Sequence, residues 1–517
     1  MGRLHACLAV ILCAGCYSSG KYIEHDATDT VGDSTEVPNI PGDCPHGTST
    51  QLVGDFEFPQ VDILVVVDDS MSMAEEQANL AETFPQLIDK LLAPEVDPET
   101  GRPDHMPVRD LHIGVISTDM GTGGYPVESC ANPYYGDDGI LQHSPSPYVT
   151  GCDSAYALFL SYASDDPDAE QIQWMSTAFG CIAVLGTEGC GFEQQLKAAR
   201  KALIDHRMGG NLGFLRPESL LAIVFMTDEE DCSVASGNER IFDALDPTLG
   251  HMNLRCFNNA YMLVDVGTYV NDFRSLREDP EKLVLTFLVG VPRVIDCEGY
   301  GSAIPGCLDR PEMQERIDPV TPGRLVPSCS STTGEAYPPR RFVQIAQQFG
   351  DRALVQSICT DDFSPAIGQL TGKIQQLFVQ NDEPLDPVEV ARQEDPCLCM
   401  ADCRIAEALS DSRPCSSSGK ACYEPYGPGT GCLAPLVDPS GNQHTVCEIP
   451  QAGTTTEPCL STCDDAGLVH DPAGDGWYYM GEGWRDTSGR VSPSPEVVFT
   501  WGSEPENGST VYLVCCN

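Results

Sequence analysis

An apolar, largely β-branched run at residues 63–67, ILVVV, ends abruptly on Asp68-Asp69-Ser70-Met71-Ser72, and no other stretch restricts the fold as much. The run is too short to cross a bilayer and shows no polar alternation. It therefore reads as a strand buried on both faces, as in a parallel sheet covered by helices. The D-x-S-x-S spacing sets one carboxylate and two hydroxyls on a tight turn at the strand's carboxyl end, where three oxygens can face one small, hard cation. The plainer alternative is that Asp68, Ser70 and Ser72 cap the next helix and satisfy turn amides.

The pattern repeats along the chain. Leu80, Phe84, Leu87, Ile88, Leu91 and Leu92 follow helical spacing, with a break expected at Pro85. Further buried strands are predicted at 111–117 (LHIGVIS), 220–226 (LLAIVFM), 283–289 (LVLTFLV) and 353–358 (ALVQSI). Helices are expected through Phe192, Leu196, Ala199 and Leu203, across 261–276, through Phe342, Ile345, Ala346 and Phe349, and from Ser364-Pro365 onward. Residues 121–181 and 292–339 read as disulfide-pinned insertions. Strands alternating with amphipathic helices imply an α/β class: a doubly wound, mostly parallel sheet covered on both sides.

In such a sheet, ligands bind beyond the carboxyl ends of the strands where the winding reverses. Asp68 and Asp228 both follow predicted strands, and Thr187 precedes a predicted helix between them. Two carboxylates and three hydroxyls, completed by water, suit Mg²⁺ or Mn²⁺. With these residues the chain resembles the von Willebrand factor type A domain and its metal-ion-dependent adhesion site. Asp68, Ser70 and Ser72 match the first metal loop of that family, Thr187 the second and Asp228 the third. The resemblance spans about residues 59–378. It implies a Rossmann-like domain that binds a protein partner when an acidic side chain of the partner completes the metal shell. The whole chain further resembles secreted or lipid-anchored proteins of myxobacteria and related bacteria that carry this domain. Two departures stand out: Met71 and Glu229-Glu230-Asp231 occupy places where the family has glycine. With Asp69, the carboxylates of Glu229, Glu230 and Asp231 could hold a second cation such as Ca²⁺, or repel an acidic partner.

Composition sets the setting. Against 77 acidic residues stand 29 basic ones, a formal charge of −48 that excludes nucleic acid and anionic lipid as partners. Residues 1–15 read as a secretion signal. Its end resembles a bacterial lipobox, which implies acylation at Cys16 and, with Tyr17 next, an outer-membrane lipoprotein of the cell envelope; ordinary secretion is the alternative. Residues 16–55 read as a flexible tether, 56–380 as the α/β domain, 381–396 as a linker and 397–517 as a small Cys-rich domain. Beyond Cys16 there are 22 cysteines, an even set expected to form disulfides, split as eleven from Cys44 to Cys359 and eleven from Cys397 to Cys516. Full oxidation requires at least one bridge across that division.

No H-E-x-x-H or G-x-S-x-G motif occurs, so an enzyme is not expected. The expected function is metal-dependent adhesion to a protein or surface, with a metal-indifferent envelope scaffold as the alternative. A metal-dependent hydrolase using Asp69 or Glu229 as base comes third.

Overall fold

The computed structural model describes residues 38, 40–42, 48–56, 60–94, 107–164, 168–332, 334–379, most of 403–450, and separate strands and turns of 460–516. The expected signal at 1–15, Cys16, Cys44, most of the expected tether and the expected linker at 381–396 lie outside them. The chain divides into two compact units, Phe56–Phe378 with Pro505–Ser509, and the remainder.

The first unit is built on a seven-stranded sheet of β1 (Gln60–Val67), β2 (Asp110–Ser117), β3 (Leu160–Ala163), β4 (Leu220–Met226), β5 (Leu283–Val289), β6 (Gly299–Tyr300) and β7 (Ala353–Ser357). The strand order is β3-β2-β1-β4-β5-β7-β6. The five inner strands are parallel, with Val67 opposite both Ser117 and Met226. The short edge strands β3 and β6 run antiparallel. This is the expected α/β class.

Side-chain alternation along β1 supplies both faces of the core. Val61, Ile63, Val65 and Val67 pack against α1 (Ala74–Thr83), α2 (Pro85–Leu92), α3 (Ala169–Ala183) and α7 (Ser364–Val379). Leu64 and Val66 face α4 (Gln195–Arg200), α5 (Val266–Arg274) and α6 (Arg340–Phe349). Because both faces are covered, the inner strands are apolar throughout. Pro85 divides α1 from α2 by occupying the first turn of the second helix, where its missing N–H costs nothing.

Two local expectations need refinement. The segment 121–181, expected as a disulfide-pinned insertion, also supplies β3 and most of α3, whose Ile172, Met175, Phe179 and Ile182 are buried in the core. Phe192 precedes α4 and packs edge-on to Phe242 at 4.9 Å, in a separate cluster. The helix expected from Ser364-Pro365 onward is α7, and Asp362 accepts the Ser364 N–H at 2.8 Å.

Ten cysteines of the first unit pair within it: Cys130–Cys190, Cys152–Cys181, Cys232–Cys256, Cys297–Cys307 and Cys329–Cys359. By parity, any bridge crossing the division drawn above must start from Cys44.

The second unit carries a five-stranded sheet in the order Thr48–Phe56, Ser509–Cys516, Cys403–Ala408, Val446–Ile449, Ala421–Cys422. Cys403–Cys515, Cys415–Cys447 and Cys422–Cys432 staple it. Residues near 40–55, expected in a tether, belong to this unit. Ile40 is fully buried against Ala406, Tyr423, Val446 and Val514, and Thr48–Phe56 is an edge strand. The α/β domain thus lies, along the chain, between the first and the remaining strands of the Cys-rich sheet.

Candidate metal site

β1 and β4 are neighbours where the winding reverses: β1 leads to β2 on one side, and β4, β5 and β7 step away on the other. Asp68 ends β1, and Thr227-Asp228 ends β4. Backbone bonds extend the ladder into both turns, from Asp68 N–H to Met226 O at 3.0 Å and from Thr227 N–H to Leu288 O at 3.1 Å.

Asp68 is wholly buried. Its Oδ1 accepts the Ser70 N–H at 2.8 Å, and its Oδ2 accepts the Thr227 hydroxyl at 2.5 Å. Gln195 Nε2 in turn donates to Thr227 Oγ1 at 2.8 Å. Asp228 is 4% exposed and takes a hydrogen bond from the Ser72 hydroxyl, which lies 3.3 Å from Ser70 Oγ. Asp68, Ser70, Ser72 and Asp228 therefore form one connected group of oxygens. Asp228 Oδ1 is buried with no hydrogen-bond partner.

Thr187 lies between two anchors on the first loop. Gln77 Nε2 donates to the carbonyls of Asp68 (2.7 Å) and Gly186 (2.9 Å), and Gly186 N–H donates to Gln77 Oε1 at 3.0 Å. On the other side Gly189 N–H donates to Asp69 O at 2.9 Å. Half-buried Thr187 thus belongs to a loop pinned against the turn that holds Asp68.

Charge is uncompensated here. Burial, then Asp68, pushes the Asp228 carboxyl up to about 8. Burial also raises Asp68, against hydrogen bonds from Thr227 and Ser70. Glu229 is held well above the ordinary carboxylate range by burial, Asp228 and Asp68, and Glu193 by burial, Asp68, Glu229 and Asp228. The charges acting on Asp228, Glu229 and Glu193 are those of other carboxylates. Burying an ionised carboxylate costs several kcal/mol when nothing offsets it. The donors here are hard oxygens of the kind that divalent cations prefer.

The four residues expected around a second cation fall into two pairs. Asp69 and Glu229 share the charge of Asp68, with Asp119 and Asp137 also acting on Asp69 and Asp228 on Glu229, whereas Glu230 and Asp231 share Arg341. Glu230 accepts the Arg341 N–H at 2.9 Å. Asp231 accepts the Leu196 N–H at 3.0 Å, at the start of α4, and pairs with Arg341 Nε at 3.0 Å. Two further carboxylates went unremarked in the sequence. Glu193 is one; the other is Glu76, four residues beyond Ser72, whose place in a first helical turn reads as an ordinary dipole-favoured acid. Among the described residues, no three His, Cys, Asp or Glu side chains are already gathered to hold an ion. The set depends on hydroxyls as much as on carboxylates.

No family model matches the chain, and neither does any curated protein. Among solved structures it is similar to proximal thread matrix protein 1 of the mussel byssus, at 10% identity and TM-score 0.26 over 64% of this chain and 51% of that one. The match therefore spans about half of the mussel protein. Another structure of that protein, with a zinc-occupied MIDAS motif, matches at 10% identity and TM-score 0.25, over 64% of this chain and 50% of that one. The conserved hypothetical protein BatB of Bacteroides thetaiotaomicron matches at 10% identity and TM-score 0.26, over 62% of this chain and 99% of its own. Such likeness concerns fold alone. The α/β assignment rests on the strand order and register themselves.

Gly189 offers a test of how the first loop is held. A Cβ there would lie 2.2 Å from Asp69 Cγ, so Gly189→Ala must displace the Asp69 carboxylate or the loop that carries it. The variant is expected to bind Mn²⁺ more weakly, on the order of tenfold, with every proposed ligand intact. An unchanged affinity by calorimetry would show that this contact does not position the loop.

Proposed function

We propose that this chain is an exported, non-enzymatic adhesion protein whose α/β domain binds Mg²⁺ or Mn²⁺ through Asp68, Ser70, Ser72 and Asp228, with Thr187 reached directly or through water. The bound ion polarises an open position at which an acidic side chain of a protein or surface partner is captured. Buried, unpartnered Asp228 Oδ1 carries this reading, because it stands beside Asp68 in a site where, among the described residues, neither carboxylate forms an ion pair with a cationic side chain. Export fits the eight disulfides among the described residues, where no helix is long and apolar enough to cross a membrane. In the proposal, acylation at Cys16 anchors the chain in the outer membrane.

The test combines metal titration with partner capture. The full chain is expected to bind Mn²⁺ by calorimetry, and Asp228→Asn to lose most of that affinity while keeping its fold. Capture of partners from envelope extract should disappear with chelator, return with Mg²⁺, and be absent for Asp68→Ala. Capture indifferent to chelator would instead favour a scaffold.

A further inference from the structure

Glu76 carries the second buried, unanswered carboxylate oxygen at this end of the sheet. Its side chain is 6% exposed, and Oε2 has no hydrogen-bond partner, as is true of Asp228 Oδ1. Three observations place it at the same site. It lies in the first turn of α1, four residues beyond Ser72 in the chain. Its charge acts on Asp228 and is acted on by Asp68. One hairpin segment also lies against both acids: a Cβ on Gly334 would come within 3.1 Å of Glu76 Oε1, and Tyr337 N–H donates to Asp228 O at 2.8 Å. That segment is fixed by the Cys329–Cys359 bridge.

The geometry points to Glu76 as a ligand held in reserve: when the cation binds, we propose, this carboxylate rotates into its shell and fills from within the position a partner's carboxylate would take. The inference rests on the cation site proposed above and adds a restraint to it. Rotation breaks no hydrogen bond at Oε2, because none exists there, and the first turn of α1 holds the group within reach of the charges of Asp68 and Asp228. Asp68, Asp228 and Glu76 together carry one negative charge more than a divalent ion offsets, so the loaded site is closed and anionic. An external carboxylate must then displace Glu76 before it can reach the metal. Capture becomes conditional, and an acidic segment gains access only where the rest of its contact surface supplies the difference.

Mn²⁺ alone is the probe. The full chain, Glu76→Gln and Glu82→Gln are titrated with it by calorimetry and by water-proton relaxation; Glu82 is an exposed acid of the same helix. Glu76→Gln should raise Kd on the order of tenfold or more and should increase the relaxivity of bound Mn²⁺, because a water takes the vacated position. Glu82→Gln should change neither. Glutamine matches glutamate in shape, and a melting temperature no lower than that of the parent confirms that the variant is folded. If the parent binds Mn²⁺ and Glu76→Gln matches it in Kd and relaxivity, Glu76 is no ligand and the cation site stands without it. If the parent binds no Mn²⁺, the site itself is refuted and this inference falls with it.

Discussion

Metal-free protein is expected to lose stability as the pH rises from about 5 to about 8, and saturating Mg²⁺ or Mn²⁺ to restore most of it. The direction follows from the carboxyls at the sheet's carboxyl end. Asp228 is raised to about 8, and Asp69, Glu193 and Glu229 are held well above their ordinary range, burial being the first cause in each. A group whose folded value lies above its unfolded value binds its proton more tightly when folded. Its contribution is therefore complete below the unfolded value, near pH 4, and is lost as the pH climbs through the folded one. Near neutrality the chain must either keep protons on acids that should be ionised or tolerate their mutual repulsion. A cation removes that choice by displacing the protons, so binding should release protons at pH 7 and tighten between pH 6 and 8. At a free concentration a hundredfold above Kd, the ion contributes about 2.7 kcal/mol. Melting curves at pH 5.5 and 8, with chelator and with Mg²⁺, check the stability claim, and calorimetry in two buffers of different ionisation enthalpy counts the protons. A melting temperature that is flat with pH and blind to Mg²⁺ would contradict both.

What the sequence disclosed, and what it concealed, follows from burial. β1, β4 and β5 are continuous apolar runs because helices cover both of their faces, and they were legible nearly to the residue. β3 and β6 lie at sheet edges, are four and two residues long, and carry no comparable pattern. α3 was legible in principle: Ile172, Met175, Phe179 and Ile182 keep helical spacing, but the Gly-, Pro- and Tyr-rich stretch before them and its cysteines made the region read as a pinned insertion without a helix of its own. The edge strand Thr48–Phe56 is mostly polar, so it resembled a tether. Asp68, Ser70, Ser72 and Asp228 could be found because each follows a strand end at a fixed offset. Glu76 and Glu193 could not, since an acid beginning a helix looks the same whether it faces water or another carboxylate. Only the fold turns both inward.

Asp62→Ala is expected to destabilise the α/β unit by about 3–5 kcal/mol while leaving cation affinity unchanged. Asp62 stands on β1 six residues before Asp68, about 20 Å away along the strand, and is likewise wholly buried. Its surroundings are the reverse. Arg216 Nε donates to Oδ1 at 2.8 Å and Arg216 N–H to Oδ2 at 2.8 Å; the Ser219 hydroxyl donates to Oδ2, and Arg277 Nη2 lies 3.9 Å from Oδ2. Arg277, 1% exposed in its side chain, is already lowered to about 10 by burial against the support of Asp62. Removing that carboxylate leaves the buried Arg277 charge without its nearest counter-ion, although its N–H groups keep the oxygens of Ser219 and Leu276, and this is the costly half of breaking a buried pair. Denaturant midpoints at constant m-value give the loss, and Mn²⁺ calorimetry on the folded variant should match the parent. A loss below about 1 kcal/mol would mean that the arginines find water instead. One strand thus meets the same problem twice. At its amino end the protein provides arginines for a buried carboxylate, whereas at its carboxyl end the charges that act on Asp228 are those of Asp68 and Glu76. That contrast along a single strand supports the proposal that the balance at the second end comes from a bound cation.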